Sequence, residues 1–243
     1  MRATHLALPL LALGLVAACS DEPADGGPSS ELEVATTDGE ANALAQNIEA
    51  GDFADLQLGA LIEGPQGPRP SGAMTNAEGA FADITSYVAC PAGMDPCDPA
   101  TAPEGTIYTY VHIVYPGEDN DPTTGSGTGN DSSDIERAEW FRMVQPAHGF
   151  TGAAGYSNAE AIAAAGEKVR VVVTCEDGGI AWTVNPGDGG NQWEQAEPLT
   201  FYWQSTLPPA GPAQAYQIRA NEAEAVGPGP YPADQKGAEN RCV

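Results

Sequence analysis

The chain has 243 residues, of which 34 are Asp or Glu and only 9 are Lys or Arg, so its formal net charge is −25. This balance leaves no basic stripe to neutralise phosphates, which excludes nucleic acid as a favoured partner and predicts repulsion from anionic lipid headgroups. Hydrophobic residues make up 42% of the chain, enough for a core, and the 29 Gly and 21 Pro stay below the share expected of a disordered chain.

The first predicted element is an export signal over residues 1–18. One early cation, Arg2, precedes a short apolar run from Leu6 to Ala18, too short for a bilayer-spanning helix of ~20 residues. The run ends in VAAC at residues 16–19, which resembles the lipobox of bacterial lipoproteins. The resemblance implies cleavage before Cys19, acylation of that cysteine by chains such as palmitate, and, with Ser20 next, anchoring in the outer membrane. An ordinary cleaved signal followed by a chance cysteine is the alternative.

Residues 19–51 are predicted to form a flexible tether. The segment SDEPADGGPSSELEVATTDGE (20–40) has almost no large apolar residues, so it cannot bury enough surface to offset the entropy lost on ordering. Residues 52–243 then form a single domain. Without the signal, which contains Arg2, the chain keeps 8 basic against 34 acidic residues, a formal charge of −26.

The body is predicted to be all-β. TIYTYVHIVY (106–115) is almost wholly β-branched or aromatic, and KVRVVVTCE (168–176) alternates before a Gly-rich turn and IAWTV (180–184), which predicts a hairpin. Similar patterns predict strands in ADLQLGALIE (54–63), FADITSYVAC (81–90), EWFRMV (139–144), LTFYWQST (199–206) and AQAYQIRA (213–220).

Between these strands one short helix is predicted, with Ser157 as its N-cap, Glu160 as the capping-box partner and Gly166 as its stop. About eight strands and one helix favour a β-sandwich. The strands YTYVHIV and LTFYWQST also make the body similar to uncharacterised exported bacterial proteins, a resemblance that implies no activity.

Four cysteines remain once Cys19 is assigned to lipid, and an even number in an exported chain implies disulfides, with three possible pairings. We favour Cys90–Cys97, which closes the short loop CPAGMDPC, and Cys175–Cys242, which would pin the C-terminal tail at residues 227–243 to a core strand. The spacing does not fit a zinc site.

An acidic loop, PGEDNDPTTGSGTGNDSSDIE (116–136), is the candidate metal site. Its candidate ligands for calcium are Asp119, Asp121, Asp131 and Asp134, since calcium takes six to eight oxygen ligands and flexible Asp/Gly backbone can supply them. The EF-hand pattern is absent. We therefore favour a solvated loop without a bound ion, with calcium as the alternative.

Other candidate functional residues are few. His112 is predicted to be a half-buried packing residue in mid-strand, His148 lies in a loop, and Ser126 lacks the strand-turn-helix elbow of a nucleophile. Trp193, in the polar loop GDGGNQWEQ, could stack on a sugar, although a ring folded back over the end of the domain is the favoured reading.

These patterns favour a membrane-anchored, non-catalytic module with an envelope or interaction role, in contact with the membrane through its lipid and with a glycan or envelope protein through its body. A calcium-supported carbohydrate- or protein-binding module is the alternative, and a hydrolase is the least favoured reading. The sequence does not give the oligomeric state.

Overall fold

A computed structural model describes residues 46–63, 71–77, 79–117, 134–232, 234–235 and 237–243. These residues belong to one compact unit, Ala41–Val243. The described strands are β1 Gln46–Ile48, β2 Gly51–Asp52, β3 Leu58–Leu61, β4 Ser71–Asn76, β5 Gly79–Pro91, β6 Tyr108–Pro116, β7 Ala138–Met143, β8 Phe150–Tyr156, β9 Arg170–Glu176, β10 Gly179–Asn185, β11 Leu199–Ser205, β12 Pro209–Ala220 and β13 Ala223–Pro232. A 3₁₀ helix, Phe53–Asp55, and one α-helix, α1 Asn158–Ala165, complete the elements.

The all-β prediction is confirmed, but the count of about eight strands is wrong. The thirteen described strands form one hydrogen-bonded sheet in the order β1-β9-β10-β7-β12-β13-β4-β5-β6-β11-β8-β2, with β3 paired to β5. This single sheet replaces the two sheets of the predicted sandwich. It curls so that its two halves share a core, in which Phe141 of β7 stacks on Phe201 of β11 with ring centroids 5.1 Å apart.

The seam where the two edges of the curled sheet meet is closed by both ends of the described chain. β1 pairs with β9 and, only two residues later, β2 pairs in parallel with β8 at the opposite edge. The pairing is so close that a Cβ on Gly155 would collide with the carbonyl oxygen of Gly51. These strands place ordered structure as early as Gln46, ahead of the predicted domain start at residue 52.

The C-terminal tail closes the rest of the seam. The amide of Arg241 donates to the carbonyl of Phe150 on β8, while Cys242 is disulfide-bonded to Cys175 on β9. The predicted pairing Cys175–Cys242 is therefore confirmed, as is Cys90–Cys97. Because disulfides persist in oxidising compartments, the two bridges indicate an extracytoplasmic environment.

The predicted tail is shorter than expected, since its first six residues, 227–232, belong to β13. Pro228, Pro230 and Pro232 alternate along this strand, so their missing N–H groups all lie on one side. The other side keeps its donors and pairs with β12 over ten registered positions. On its second side β13 pairs with β4 at Val226 alone.

The segment 54–63, predicted as one strand, instead forms the 3₁₀ helix and β3 and lies over the outer face of β5, β6 and β11. Phe53, Leu56 and Leu58 are partly buried there against Tyr87 and Tyr202. Its leucines therefore cover a second apolar face of the sheet rather than entering the main core.

The helix follows its predicted caps. The Ser157 hydroxyl accepts from the Glu160 amide at 3.3 Å, and Gly166 ends the helix with φ 90°. The capping box is only half formed, because the Glu160 carboxylate accepts from the Thr200 amide of β11 at 2.7 Å. Glu160 thus ties the helix to the sheet.

Candidate functional site

The outer face of β7 holds an arginine fixed by its neighbours. Trp140 and Arg142 share this face because they are two residues apart on a strand. The Arg142 guanidinium carbon lies 4.4 Å above the Trp140 ring centroid, and its Nε donates to the Gln217 Oε1 of β12 at 2.9 Å. Gln217 is fixed in turn, donating to Glu224 at 3.0 Å. Stacking and hydrogen bonding together hold the guanidinium in one orientation.

Part of the Arg142 donor capacity is unused. Its Nη2 is 3.7 Å from a Glu224 carboxylate oxygen, beyond hydrogen-bond range, and Nη1 has no hydrogen-bond partner among the described residues. The side chain is 34% exposed. A guanidinium that is oriented but incompletely bonded is suited to binding an external acceptor.

A neighbouring charge network stiffens this face. Glu139 lies between Arg137 and Arg219, with Arg219 Nε 2.6 Å from its carboxylate. Arg219 also approaches Glu224 at 3.7 Å. Together with Arg142, these arginines are three of the eight cations that follow residue 18. Three cations of this acidic chain therefore lie close together, on β7, on β12 and at the residue that precedes β7.

Arg142 lines a cleft of about 170 Å³ between the end of β7 and the β9–β10 turn. We call this space the Arg142 cleft; its other polar lining residues are Gln145, Glu176 and Asp177. Asp177 has φ 50° and Gly178 φ 79°, the two left-handed positions of a tight hairpin turn. The confirmed hairpin thus places two carboxylates in the lining of the same cleft as the arginine.

Trp193, the predicted sugar-stacking residue, is 1% exposed. Its Nε1 donates to the Glu197 carbonyl at 2.7 Å, and its ring packs edge-on against Phe201 at 5.8 Å. The ring is folded back into the core, as in the favoured alternative, so it offers no surface to a sugar.

The candidate calcium ligands Asp119, Asp121 and Asp131 lie outside the described residues. Asp134 is exposed, and its carbonyl accepts from Asn221 Nδ2 at 2.6 Å. Among the described residues, no group of three or more His, Cys, Asp or Glu side chains could hold a metal ion.

His112 forms a pair with Ser86, whose Oγ lies 2.9 Å from its Nδ1. Both residues are buried, at 0% and 1% exposure, so no substrate reaches them. The His112 ring packs 4.0 Å from the Tyr216 ring, and burial lowers the pKa of His112 to about 3. The pair belongs to the core, where His112 is more deeply buried than its position in a strand predicted.

Sequence reasoning missed the arginine site because its evidence is three-dimensional. A sequence signal for the site was present in EWFRMV (139–144), where Trp140 and Arg142, two positions apart, share one side of a predicted strand. The partners Gln217 and Glu224 lie about 75 residues away and reach Arg142 only through the β7–β12–β13 pairing.

Comparison of the chain with protein-family models, curated proteins and solved structures returned no match. In the described part of the chain, no helix has the length and apolar character needed to cross a membrane.

Proposed function

We propose that this chain is an envelope lipoprotein, anchored through lipid on Cys19 in the outer membrane, whose folded body is a non-catalytic binding module. Its ligand site is the Arg142 cleft. The anchor is supported by the VAAC sequence after a short apolar run, and an extracytoplasmic body agrees with the two disulfides.

One observation carries the binding function: Arg142 is oriented by Trp140 and Gln217, yet its side chain is 34% exposed and its Nη1 has no hydrogen-bond partner among the described residues. An arginine keeps its charge at any ordinary pH, so it cannot serve as a general acid or base. Its planar fork instead recognises acceptors by geometry. The arrangement therefore favours recognition over proton-transfer chemistry.

Replacing the lipidated cysteine tests the anchor. In Cys19→Ala the acyl chains have no attachment point, and we expect the protein to move from the membrane fraction to the soluble extracytoplasmic fraction. Cell fractionation with a high-salt wash of the membranes and immunodetection measures this, because the wash weakens the charged contacts of protein held only through the Arg142 cleft. Retention of the cleaved Cys19→Ala protein in the washed membrane fraction would contradict lipid anchoring.

The released Cys19→Ala chain then tests the binding site. We expect it to co-sediment with envelopes from cells lacking the protein, and the additional change Arg142→Gln to reduce that binding about tenfold or more, since hydrogen bonds to a charged group contribute about 1.5–3 kcal/mol. Arg170→Gln is the matched control, because Arg170 is exposed on β9, which β10 separates from β7, and does not line the cleft. Equal binding by both variants would exclude the cleft as the site, provided that their melting temperatures agree.

A further inference from the structure

We infer that the Arg142 cleft takes a zwitterion, a small ligand end that carries both a carboxylate and an ammonium group, such as an amino acid or a short peptide. This inference rests on the proposed binding function and adds the chemical class of the ligand.

The carboxylate of such a ligand has a ready partner. Arg142 Nη1 lacks a hydrogen bond among the described residues, and Nη2 has only a 3.7 Å contact with Glu224. The outer edge of the guanidinium thus retains the parallel N–H donors that bind a carboxylate in bidentate fashion. Because stacking on Trp140 already fixes the side chain, little further rotamer entropy is lost on binding.

The opposite wall of the cleft provides acceptors for an ammonium group. Glu176 and Asp177 are both exposed and line the same cleft as Arg142. Neither forms an ion pair with it in the described part of the chain, and the Glu176 carboxylate accepts from the Thr174 hydroxyl at 3.0 Å. The cleft lining therefore carries one cation, which lies 3.7 Å from Glu224, and two carboxylates that do not pair with it among the described residues.

The net charge of the protein favours a zwitterion over a simple anion as the ligand. A ligand bearing only a carboxylate meets the repulsion of Glu176 and Asp177 and of a chain with formal charge −25. A zwitterion has no net charge, so it avoids the long-range repulsion and gains attraction at both of its ends.

A neutral sugar is disfavoured for a different reason. Sugars bind by stacking on an exposed aromatic face, but the Trp140 face is covered by the Arg142 guanidinium at 4.4 Å, and Trp193 is buried. The cleft volume of about 170 Å³ is also below the ~300 Å³ at which drug-sized ligand pockets begin. Both observations favour a ligand end with the size of one or two small residues.

The test is a calorimetric titration of the detergent-solubilised full chain at pH 7. The probes are L-alanine, alanyl-alanine and trialanine, whose charged groups are progressively further apart, with N-acetyl-alanyl-alanine, alanyl-alanine amide and cellobiose as comparisons. We expect at least one uncapped probe to bind, and each capped dipeptide to bind about tenfold or more weakly than alanyl-alanine, because each has lost one charge-assisted hydrogen-bonding end.

Variants test which residues bind the carboxylate end and the ammonium end of the ligand. Arg142→Gln should weaken zwitterion binding about tenfold to a hundredfold, and Glu176→Gln with Asp177→Asn should weaken it about tenfold, with Asn suited to the left-handed turn position. Arg170→Gln should leave zwitterion binding unchanged.

Equal binding of capped and uncapped dipeptides, tight binding of cellobiose, or an unaltered affinity in Arg142→Gln would each overturn the inference. If no zwitterion binds while Arg142→Gln still abolishes envelope binding, the inference fails and the proposed binding site stands; if Arg142→Gln changes neither, both fail.

Discussion

Removing the Cys175–Cys242 disulfide by changing both residues to Ala should lower the free energy of unfolding by about 4 kcal/mol. The bridge closes a loop with a sequence separation of 67 residues, and a long cross-linked loop restricts the unfolded chain more than a short one. It also holds the tail across the seam, where Arg241 bonds to Phe150. We therefore expect a melting temperature lower by roughly 2–4 °C for each kcal/mol lost.

The second disulfide is the natural control. Cys90–Cys97 has a sequence separation of only 7, and the same chain-entropy relation assigns it about 2.4 kcal/mol. Hydrogen exchange should quicken along β8 and β9 when the long bridge is removed, and along β5 when the short one is removed. A larger loss of stability from the short bridge, or unchanged exchange at β8 and β9, would show that the tail does not hold the seam.

Sequence reasoning found the strands whose residue types and turn sequences are typical of β-structure. β6 is nearly all β-branched or aromatic, and the β9–β10 pair combines Val-rich strands with an Asp177-Gly178 turn. These three strands and the hairpin are confirmed, because local pattern and tertiary pairing agree there.

The missed strands lack such side chains. β8 reads FTGAAGY and the second half of β13 reads GPGPYP, compositions that are typical of turns. Their glycines are required by close packing: a Cβ on Gly229 would lie 2.6 Å from the Tyr216 ring. Small residues are needed here because another element packs closely against the strand. The local sequence does not show which element that is.

The candidate site was misplaced for a related reason. Trp193 has polar neighbours in sequence, which indicated exposure, yet its ring packs on Phe201 and its carbonyl accepts from the Ala138 amide at 2.7 Å. Trp140 lies between Glu139 and Phe141 in a predicted strand, and it is on the outer face of β7 beneath Arg142. Which tryptophan is buried depends on the register of long-range pairing.

Acidification should destabilise the protein through His112. The ring is fully buried, its Nδ1 is bonded to the Ser86 hydroxyl, and its Nε2 has no hydrogen-bond partner among the described residues. The neighbouring rings of Tyr216 and Phe141 offer no negative charge to a proton on Nε2. Protonation in the folded state would therefore leave an uncompensated charge in the core, which is why burial lowers the pKa to about 3 from an ordinary 6.5.

The sign of the effect follows from proton binding. The unfolded chain binds a proton at His112 near pH 6.5 and the folded chain only near pH 3, so acid favours the unfolded state. The full contribution to stability is present above pH 6.5, falls by about 1.4 kcal/mol per pH unit below it, and has lost about 2 kcal/mol by pH 5. By pH 3 the loss is on the order of 5 kcal/mol. The window from pH 6.5 to 5 isolates this effect, because most carboxylates titrate lower.

Denaturant titrations of the wild type and of His112→Phe at several pH values measure the slope. Phe keeps a ring against Tyr216 and cannot take a proton, so stability should become nearly flat between pH 6.5 and 5. His148→Gln is the comparison variant, at the other histidine of the described residues, whose ring is 21% exposed beside Asp234. If His112→Phe does not fold, an NMR titration of the wild-type imidazole decides the question. A His112 resonance that titrates near pH 6 in the folded protein would show that the ring is accessible and that the core assignment of the Ser86–His112 pair is wrong.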